Sequence, residues 1–172
     1  MIYSAAAVAN FFLEQARLSS RVLDPMQLQK LVYFAHGWSL ALAGRPLISE
    51  PIQAWDYGPV VPSLYQELKK YGSGPVTDPI TDVQSTPTGS QLIEPRVSDV
   101  QTQNLLRRVW QVYGHLTGLQ LSDLTHRPDT PWSIARRRPW RNNPISDASM
   151  REFFQKLAEV NAGRPGPAAA EI

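Results

Sequence analysis

The sequence predicts a mainly α protein, a compact helical domain around a central buried helix at about residues 25–43, with one or two short extended segments. Signals for helix starts and ends recur along the chain, whereas segments that alternate apolar and polar residues are few and short. The segment 25–43 is also apolar around most of its circumference, which is typical of a helix surrounded by other elements. We therefore expect one domain over residues 1–160, with a loop or insertion at 73–91 and a flexible tail at 161–172.

The first helix is predicted to begin after Ser4, because a serine hydroxyl can cap the free N–H groups at a helix start. Apolar residues then recur at the i, i+3, i+4 spacing of one helix face, and these residues are Ala5, Val8, Phe12, Leu13 and Ala16. This face is expected to pack on the core.

The second helix is the central one, and both of its ends are marked. Asp24 is a suitable N-cap, Pro25 a suitable first helical residue, and Gln27 occupies the third position of a capping box. Gly44 is a favourable residue just after a helix end. The broad apolar stripe between these signals consists of Leu28, Leu31, Val32, Ala35, Trp38 and Leu42, widened by Tyr33 and Phe34.

The rest of the chain is predicted as short elements. Residues 52–57 alternate as a short extended segment, and Gly58, Pro59 and Pro62 indicate a turn into a third helix that ends at Gly72. Residues 73–91 are rich in Gly, Pro, Ser and Thr, and 92–97 is a possible strand. Ser98 with Gln101 predicts the start of a fourth helix, and shorter helices are expected around 119–124, 131–137 and 146–161.

The composition excludes several classes of function. The chain has no cysteine, so it has no disulfide framework and no thiolate nucleophile, which suits a reducing cytoplasm. The N-terminal segment carries Glu14 and lacks the basic start of a secretion signal, and the apolar run at 31–44 is too short to span a bilayer. We expect a cytoplasmic location and no membrane partner.

Catalysis is disfavoured, and the sequence predicts no catalytic, cofactor-binding or metal-binding residue. The phosphate-binding, dinucleotide-binding, zinc-protease and serine-hydrolase motifs are absent from the sequence. His36 lies among apolar residues, as a structural histidine does. Asp123, His126 and Asp129 share a three-residue spacing that would suit a metal or acid–base role, but Pro128 interrupts the turn, so capping contacts are the favoured interpretation.

A basic patch in the second half of the chain is a candidate binding surface. Residues 1–86 hold six basic and seven acidic residues, whereas 87–172 hold eleven and eight. The excess centres on Arg136, Arg137, Arg138 and Arg141, next to Trp140. Arginine beside tryptophan is common both at protein interfaces and at phosphate-binding surfaces, so a DNA-binding regulator remains an alternative.

Lys30 is the basic residue of the central helix, and it lies between apolar neighbours. Such a lysine usually extends its ammonium group to the surface. The alternative is a buried or partner-facing ammonium that pairs with an acid such as Asp56 or Glu67.

Three segments, read in order, resemble one known family. They are 28–38 (LQKLVYFAHGW), then 44–47 (GRPL) with 54–65 (AWDYGPVVPSLY), and finally 121–126 (LSDLTH) with Pro131 and Trp132. This pattern is similar to the Panacea domain family, also described as SocA-like antitoxins or phage-associated GepA-like proteins. The resemblance implies a helical antitoxin that neutralises a partner toxin by direct protein contact. A role as a proteolytic adaptor for the toxin, which some relatives have, is a less favoured alternative, and so is a hydrolase centred on His126, Asp123 and Asp129.

The expected partner is thus a cognate toxin encoded by the adjacent gene. Nucleic acid is the less favoured alternative partner, and the oligomeric state stays open. Because relatives face unrelated toxins, family-motif residues such as Trp38 are expected to support the scaffold. Recognition is expected at the exposed end of 57–61, in the following loop and at the arginines. The predicted partner-binding residues are Lys30, Tyr57, Pro59, Val60, Val61, Arg136, Arg137, Arg138, Trp140 and Arg141.

Overall fold

The computed structural model describes residues 1–87 and 89–162, and it confirms a mainly α fold. The helices are α1 (Ala5–Leu18), α2 (Pro25–Leu42), α3 (Pro62–Leu68), α4 (Val100–Tyr113), α5 (Gly118–His126), α6 (Pro131–Arg136) and α7 (Asp147–Ala162). The strands are β1 (Ile52–Trp55), β2 (Gly58–Val60), β3 (Asp82–Thr86), β4 (Gly89–Ile93) and β5 (Asn143–Ile145). A 3₁₀ turn, Lys69–Tyr71, follows α3.

Helix α2 is the centre of the fold, as the sequence predicts. It packs against α1, α4, α5 and α7, so side chains around most of its circumference are buried. Its predicted capping box is present: Asp24 Oδ1 accepts from the Gln27 amide at 2.8 Å, and Gln27 Oε1 accepts from the Asp24 amide at 3.1 Å. Gly44, just beyond the helix, has φ +66°, a conformation that glycine adopts without strain.

Aromatic rings join α2 to α7 and α4. Phe154 of α7 lies edge-on to Tyr33, Phe34 and Trp38 of α2, with ring centroids 5.2–6.2 Å apart. Phe34 also stacks on Tyr113 of α4 at 4.3 Å. Because Gly37 has no side chain, the Phe154 ring approaches the α2 backbone directly. This cluster holds the C-terminal helix on the central one.

A small antiparallel sheet lies beside the helices, with the strand order β2-β1-β5. Trp55 faces Gly58 in the β1–β2 hairpin, and Ala54 faces Asn143 of β5. The prediction that Gly58 and Pro59 form a turn is therefore wrong, since both lie in β2 and the turn is at 56–57. Strand β2 is an edge strand, where proline is tolerated because no neighbour requires its missing N–H.

The segment 73–91 contains more order than the expected loop or insertion. Its second part forms the β3–β4 hairpin, in which Val83 faces Leu92, so the strand expected at 92–97 begins at Gly89 and ends at Ile93. Its first part is tied to α1: the amide of buried Asn10 donates to the Ile80 carbonyl and accepts from the Ile80 N–H, both at 2.8 Å. Because residues 73–91 contain few apolar residues, the sequence pattern does not indicate these long-range contacts.

Two helix boundaries also differ from expectation. The N-cap of α4 is Asp99, whose carboxylate accepts from the Thr102 amide at 2.8 Å, and not Ser98. The Tyr3 hydroxyl also donates to Asp99 Oδ2 at 2.6 Å, so this carboxylate is held at the start of the helix from two sides. At the other end, α7 continues to Ala162, so residues 161 and 162 are helical, and the rest of the expected tail, 163–172, lies outside the described residues.

Candidate partner-binding site

A cavity of about 400 Å³ opens between the first turns of α2, the β1–β2 turn and α3. We call it the Lys30 pocket. Its walls are mostly apolar and aromatic, and its lining residues are Pro25, Met26, Gln29, Lys30, Trp55, Asp56, Tyr57, Val60, Tyr65, Leu68, Gly72 and Asn142. A mostly apolar cavity with a few polar groups is the usual form of a recognition site.

Lys30 is buried in this pocket, with 1% of its surface exposed. Its Nζ donates to the Pro59 carbonyl at 3.2 Å. Neither expected acid pairs with it: Asp56 instead accepts from Arg136 at 2.8 Å, and Glu67 is exposed with no ion pair among the described residues. Burial without a compensating carboxylate lowers the pKa of Lys30 to about 7.

Gly58 makes room for this lysine. A Cβ at position 58 would lie 2.7 Å from Lys30 Cε, 2.8 Å from its Nζ and 3.0 Å from Thr125 Oγ1. Gly58 also has φ +107°, which other residues rarely adopt. The tip of Lys30 is therefore enclosed by β2 and α5, and only a small part of the side chain faces the pocket.

Replacing Lys30 with methionine should change how stability depends on pH. The folded-state pKa of about 7 lies below the ordinary lysine value, so between about pH 7 and 10 the unfolded chain binds more protons than the folded chain. Wild-type stability should therefore rise through this window by up to about 1.4 kcal/mol per pH unit relative to Lys30→Met. Urea titrations at pH 6, 8 and 9.5 measure the difference, with Lys156→Met as the exposed-lysine control, and parallel pH curves for wild type and Lys30→Met would contradict it.

The neighbouring residue Gln29 fixes the chain that follows β2. Its Oε1 accepts from the Val61 N–H at 2.9 Å and its Nε2 donates to the Val61 carbonyl at 3.2 Å, all in a buried setting. Pro59 and Val61 are consequently buried against α2, and the prediction that they lie on an exposed end is wrong. Val60 is 8% exposed and contributes to the pocket wall, whereas Tyr57 is 73% exposed.

The segment 136–141, which contains the four arginines, lies beside the same pocket. Strand β5, which begins two residues after Arg141, pairs with β1, and Asn142 lines the pocket together with Tyr57. Arg136 is tied to Asp56 at the β1–β2 turn. Two predicted segments about 80 residues apart in the chain thus border one cavity.

The four arginines are not equivalent. Arg136 pairs with Asp56, and Arg137 pairs with Asp129 at 3.3 Å. The exposed side chains of Arg138 and Arg141 make no hydrogen bond or ion pair within the part of the chain that the structure describes. The free positive charge of the segment is therefore at Arg138 and Arg141, on either side of Trp140, which is 76% exposed.

Asn143 holds the segment in this position. Its buried Nδ2 lies 3.1 Å from the Ala135 carbonyl, 3.3 Å from that of Arg138 and 2.6 Å from that of Trp140. A single amide thereby satisfies carbonyl groups at the end of α6 and in the following loop. The Trp140 side chain is presented to solvent by a backbone with fixed partners.

Several pocket residues were not predicted, notably Met26, Gln29, Trp55, Tyr65 and Asn142. Met26, Gln29 and Lys30 share one helix face at i, i+3 and i+4, a spacing that could have revealed them. No local signal marks Asn142, because it reaches the pocket through the pairing of β5 with β1.

His36 has a structural role, whereas His126 is only partly satisfied by its neighbours. His36 Nε2 lies 3.0 Å from Asp147 Oδ1, and its Nδ1 accepts from the amides of Leu47 and Ile48. His126 stacks on Trp132 with centroids 3.9 Å apart, and its buried Nε2 has no hydrogen-bond partner among the described residues. Asp129 forms an ion pair with Arg137 and not with His126.

The described residues contain no group of three or more His, Asp or Glu side chains placed to hold a metal ion. None of the helices in these ranges has the length and hydropathy needed to cross a bilayer.

Comparison with known proteins gives a consistent assignment. The profile of the family described as "Antitoxin SocA-like, Panacea domain" matches residues 28–133, which include Lys30, Trp55 and Tyr57 and end before Arg136. The chain is 31% identical over 140 residues to Antitoxin SocA of Caulobacter vibrioides (strain NA1000 / CB15N), covering 80% of this chain and 73% of that relative. No solved structure matches the chain. The resemblance seen in the sequence is confirmed, and the chain belongs to the SocA-like, Panacea domain antitoxin family.

Proposed function

We propose that this protein is a non-enzymatic antitoxin that neutralises a cognate toxin in the cytoplasm by binding it directly. Its contact area is Tyr57, which lines the Lys30 pocket, together with Arg138, Trp140 and Arg141 of the segment that leads to Asn142 of the same lining, and we call these four residues the recognition surface. Family membership supports the antitoxin role, and the geometry of this surface supports direct binding.

The observation that carries the proposal is the exposure of two large aromatic side chains beside a cavity. Tyr57 and Trp140 are 73% and 76% exposed, and both lie on segments that border the Lys30 pocket. Tyr, Trp and Arg are the residue types that concentrate binding energy at protein interfaces. Arg138 and Arg141, which lack partners among the described residues, can pair with acidic groups of the toxin.

The DNA-binding alternative is less well supported by this arrangement. Duplex recognition depends on several arginine or lysine contacts to phosphates. Here Arg136 and Arg137 are already paired with Asp56 and Asp129, which leaves two free cations in the segment. Two such charges suit the rim of a protein interface better than a track along a duplex.

Co-expression with the adjacent gene product tests the proposal. We expect that product to arrest growth when expressed alone, and we expect this chain to restore growth and to elute with the toxin in size-exclusion chromatography. Binding to its own promoter DNA, with an affinity that falls steeply with salt, would instead favour a regulator. A neighbouring product that is harmless and never associates with this chain would refute the antitoxin role for this pair.

A further inference from the structure

We propose that the β3–β4 hairpin is a site of self-association, in which the outer edge of β4 pairs antiparallel with the outer edge of β4 in a second copy of this chain. The two hairpins then form one four-stranded sheet around a two-fold axis at Gln91. This inference concerns a second copy of the chain and does not depend on the proposed antitoxin function.

The hairpin is anchored at its base but otherwise stands apart from the rest of the protein. The side chain of Asn10, which is 5% exposed, bonds to the Ile80 N–H and carbonyl and also donates to the Pro95 carbonyl at 3.1 Å. Among the described elements, β3 and β4 make extensive contacts only with each other. Val83 and Leu92, which face each other, are 61% and 68% exposed. Because a two-stranded hairpin alone is marginally stable in water, it gains stability from an added strand.

The outer edge of β4 carries unused backbone hydrogen-bonding groups. In an antiparallel pair, hydrogen-bonded and non-hydrogen-bonded pairs alternate, here starting from the hydrogen-bonded pair Thr86 and Gly89. The N–H and carbonyl groups of Ser90 and Leu92 therefore point away from β3, and they make no hydrogen bond within the described ranges. Residues 83–93 also include no charged residue, although charges commonly protect an edge strand against pairing.

The outer edge of β3 is partly blocked by the chain itself. The N–H of Val83 donates to the carboxylate of Asp82 at 2.8 Å, and this carboxylate also places a negative charge at that edge. Each copy thus offers one open edge. Two copies can therefore close into a dimer, whereas two open edges on each copy would permit growth into filaments.

The side chains of β4 suit pairing with an identical strand. With Gln91 on the two-fold axis, Ser90 of each copy lies opposite Leu92 of the other, and these pairs exchange four backbone hydrogen bonds. Gln91 faces its own copy without repulsion, because its amide both donates and accepts. Since Gln84 faces Gln91 within each hairpin, one row of four glutamines crosses the sheet. On the opposite face the two Leu92 side chains are diagonal neighbours, within reach of each other.

The dimer should be weak, because the paired segment is short. Strand β4 contributes five residues from each copy, whereas a stable interface uses about 20–30 residues a side. We therefore expect a dissociation constant on the order of 100 µM. In analytical ultracentrifugation, the average mass of the wild type should rise from that of one chain towards that of two between about 10 and 500 µM protein.

Single cysteines test the register, because the chain has no cysteine of its own. Gln91→Cys places two thiols across a non-hydrogen-bonded pair, in which the Cα atoms are about 4.5 Å apart and a disulfide fits. Gln84→Cys is the matched control, since it is the same substitution on the same face, but its two copies would lie three strand spacings apart, about 14 Å. Under mild oxidation we expect at least about tenfold more disulfide-linked dimer from Gln91→Cys than from Gln84→Cys.

Ser90→Pro tests the open edge itself. Proline removes one outward N–H from each copy, while the hydrogen bonds between β3 and β4 do not use that group. Added to Gln91→Cys, it should reduce the linked dimer to the level of Gln84→Cys, and alone it should keep the chain monomeric at about 500 µM. The inference is wrong if the two cysteine variants cross-link equally or not at all, if Ser90→Pro changes neither result, or if the wild type stays monomeric at that concentration.

The proposed toxin is the other candidate occupant of this edge. Strand addition by the toxin would leave the wild-type chain monomeric when it is alone, and Ser90→Pro would then weaken toxin binding. That combination of results would refute the dimer.

Discussion

Replacing Phe154 with alanine should lower the free energy of unfolding by about 3–5 kcal/mol, the usual cost of removing a buried aromatic ring. Phe154 is 0% exposed and touches the rings of Tyr33, Phe34 and Trp38 on α2. The cavity left behind would open along the contact between α2 and α7, the most extensive contact between two helices in the described chain. Denaturant titration with fluorescence detection measures the loss.

The adjacent Phe153 provides a matched control, because it is only partly buried. Phe153→Ala should cost clearly less than Phe154→Ala, and equal losses would contradict the importance of this cluster. Gly37→Ala supplies a second test. Its Cβ would lie 2.1 Å from Phe154 Cε2, so it should destabilise the wild type by overpacking and yet be tolerated in the Phe154→Ala background.

Replacing Trp140 with alanine should weaken toxin binding by about 30-fold or more, which corresponds to the 2 kcal/mol typical of a central interface residue. Trp140 is 76% exposed, and its backbone carbonyl, which Asn143 holds, is unchanged by the substitution. Stability should therefore stay within about 0.5 kcal/mol of the wild type. Calorimetric titration of the purified toxin measures binding, and thermal unfolding measures stability.

Leu18→Ala is the control for this second prediction, since Leu18 is 64% exposed at the end of α1 and is not part of the recognition surface. It should leave toxin affinity within about twofold of the wild type. Tyr57→Ala should act in the same direction as Trp140→Ala. Undiminished affinity in both aromatic variants would place the toxin elsewhere on the molecule.

The helices of the first half were predictable because their signals are local. Ser4, Asp24 and Gln27 make the capping contacts expected from their positions, and Gly44 adopts the positive φ expected of it. The cap of α4 was not predictable in the same way: two adjacent residues could cap this helix, and the one that does, Asp99, also accepts a hydrogen bond from the hydroxyl of Tyr3, 96 residues away. Long-range contacts of this kind leave no periodic pattern.

The same limit explains the candidate site. Tyr57 and the arginines could be selected because exposed aromatic and basic residues are recognisable by type. The burial of Pro59 and Val61 could not be predicted in this way. It depends on hydrogen bonds from Gln29 and Lys30, two consecutive polar residues of α2 whose side chains point into the protein. Asp56 was expected to pair with Lys30, but it pairs with Arg136. The reason is that the pairing of β5 with β1 brings α6 next to the β1–β2 turn.

The pairing of β1 with β5 also has a consequence for the order of events during protein synthesis. Ala54 of β1 pairs with Asn143 of β5, and this pairing, which brings the segment of Trp140 and Arg141 towards the β1–β2 turn, cannot form before residue 143 has been synthesised. A nascent chain on the ribosome can complete helices α1 and α2 early, whereas the proposed recognition surface can be complete only after residue 145 has emerged. On the proposed function, the chain therefore becomes competent to bind its partner only after most of it has been made.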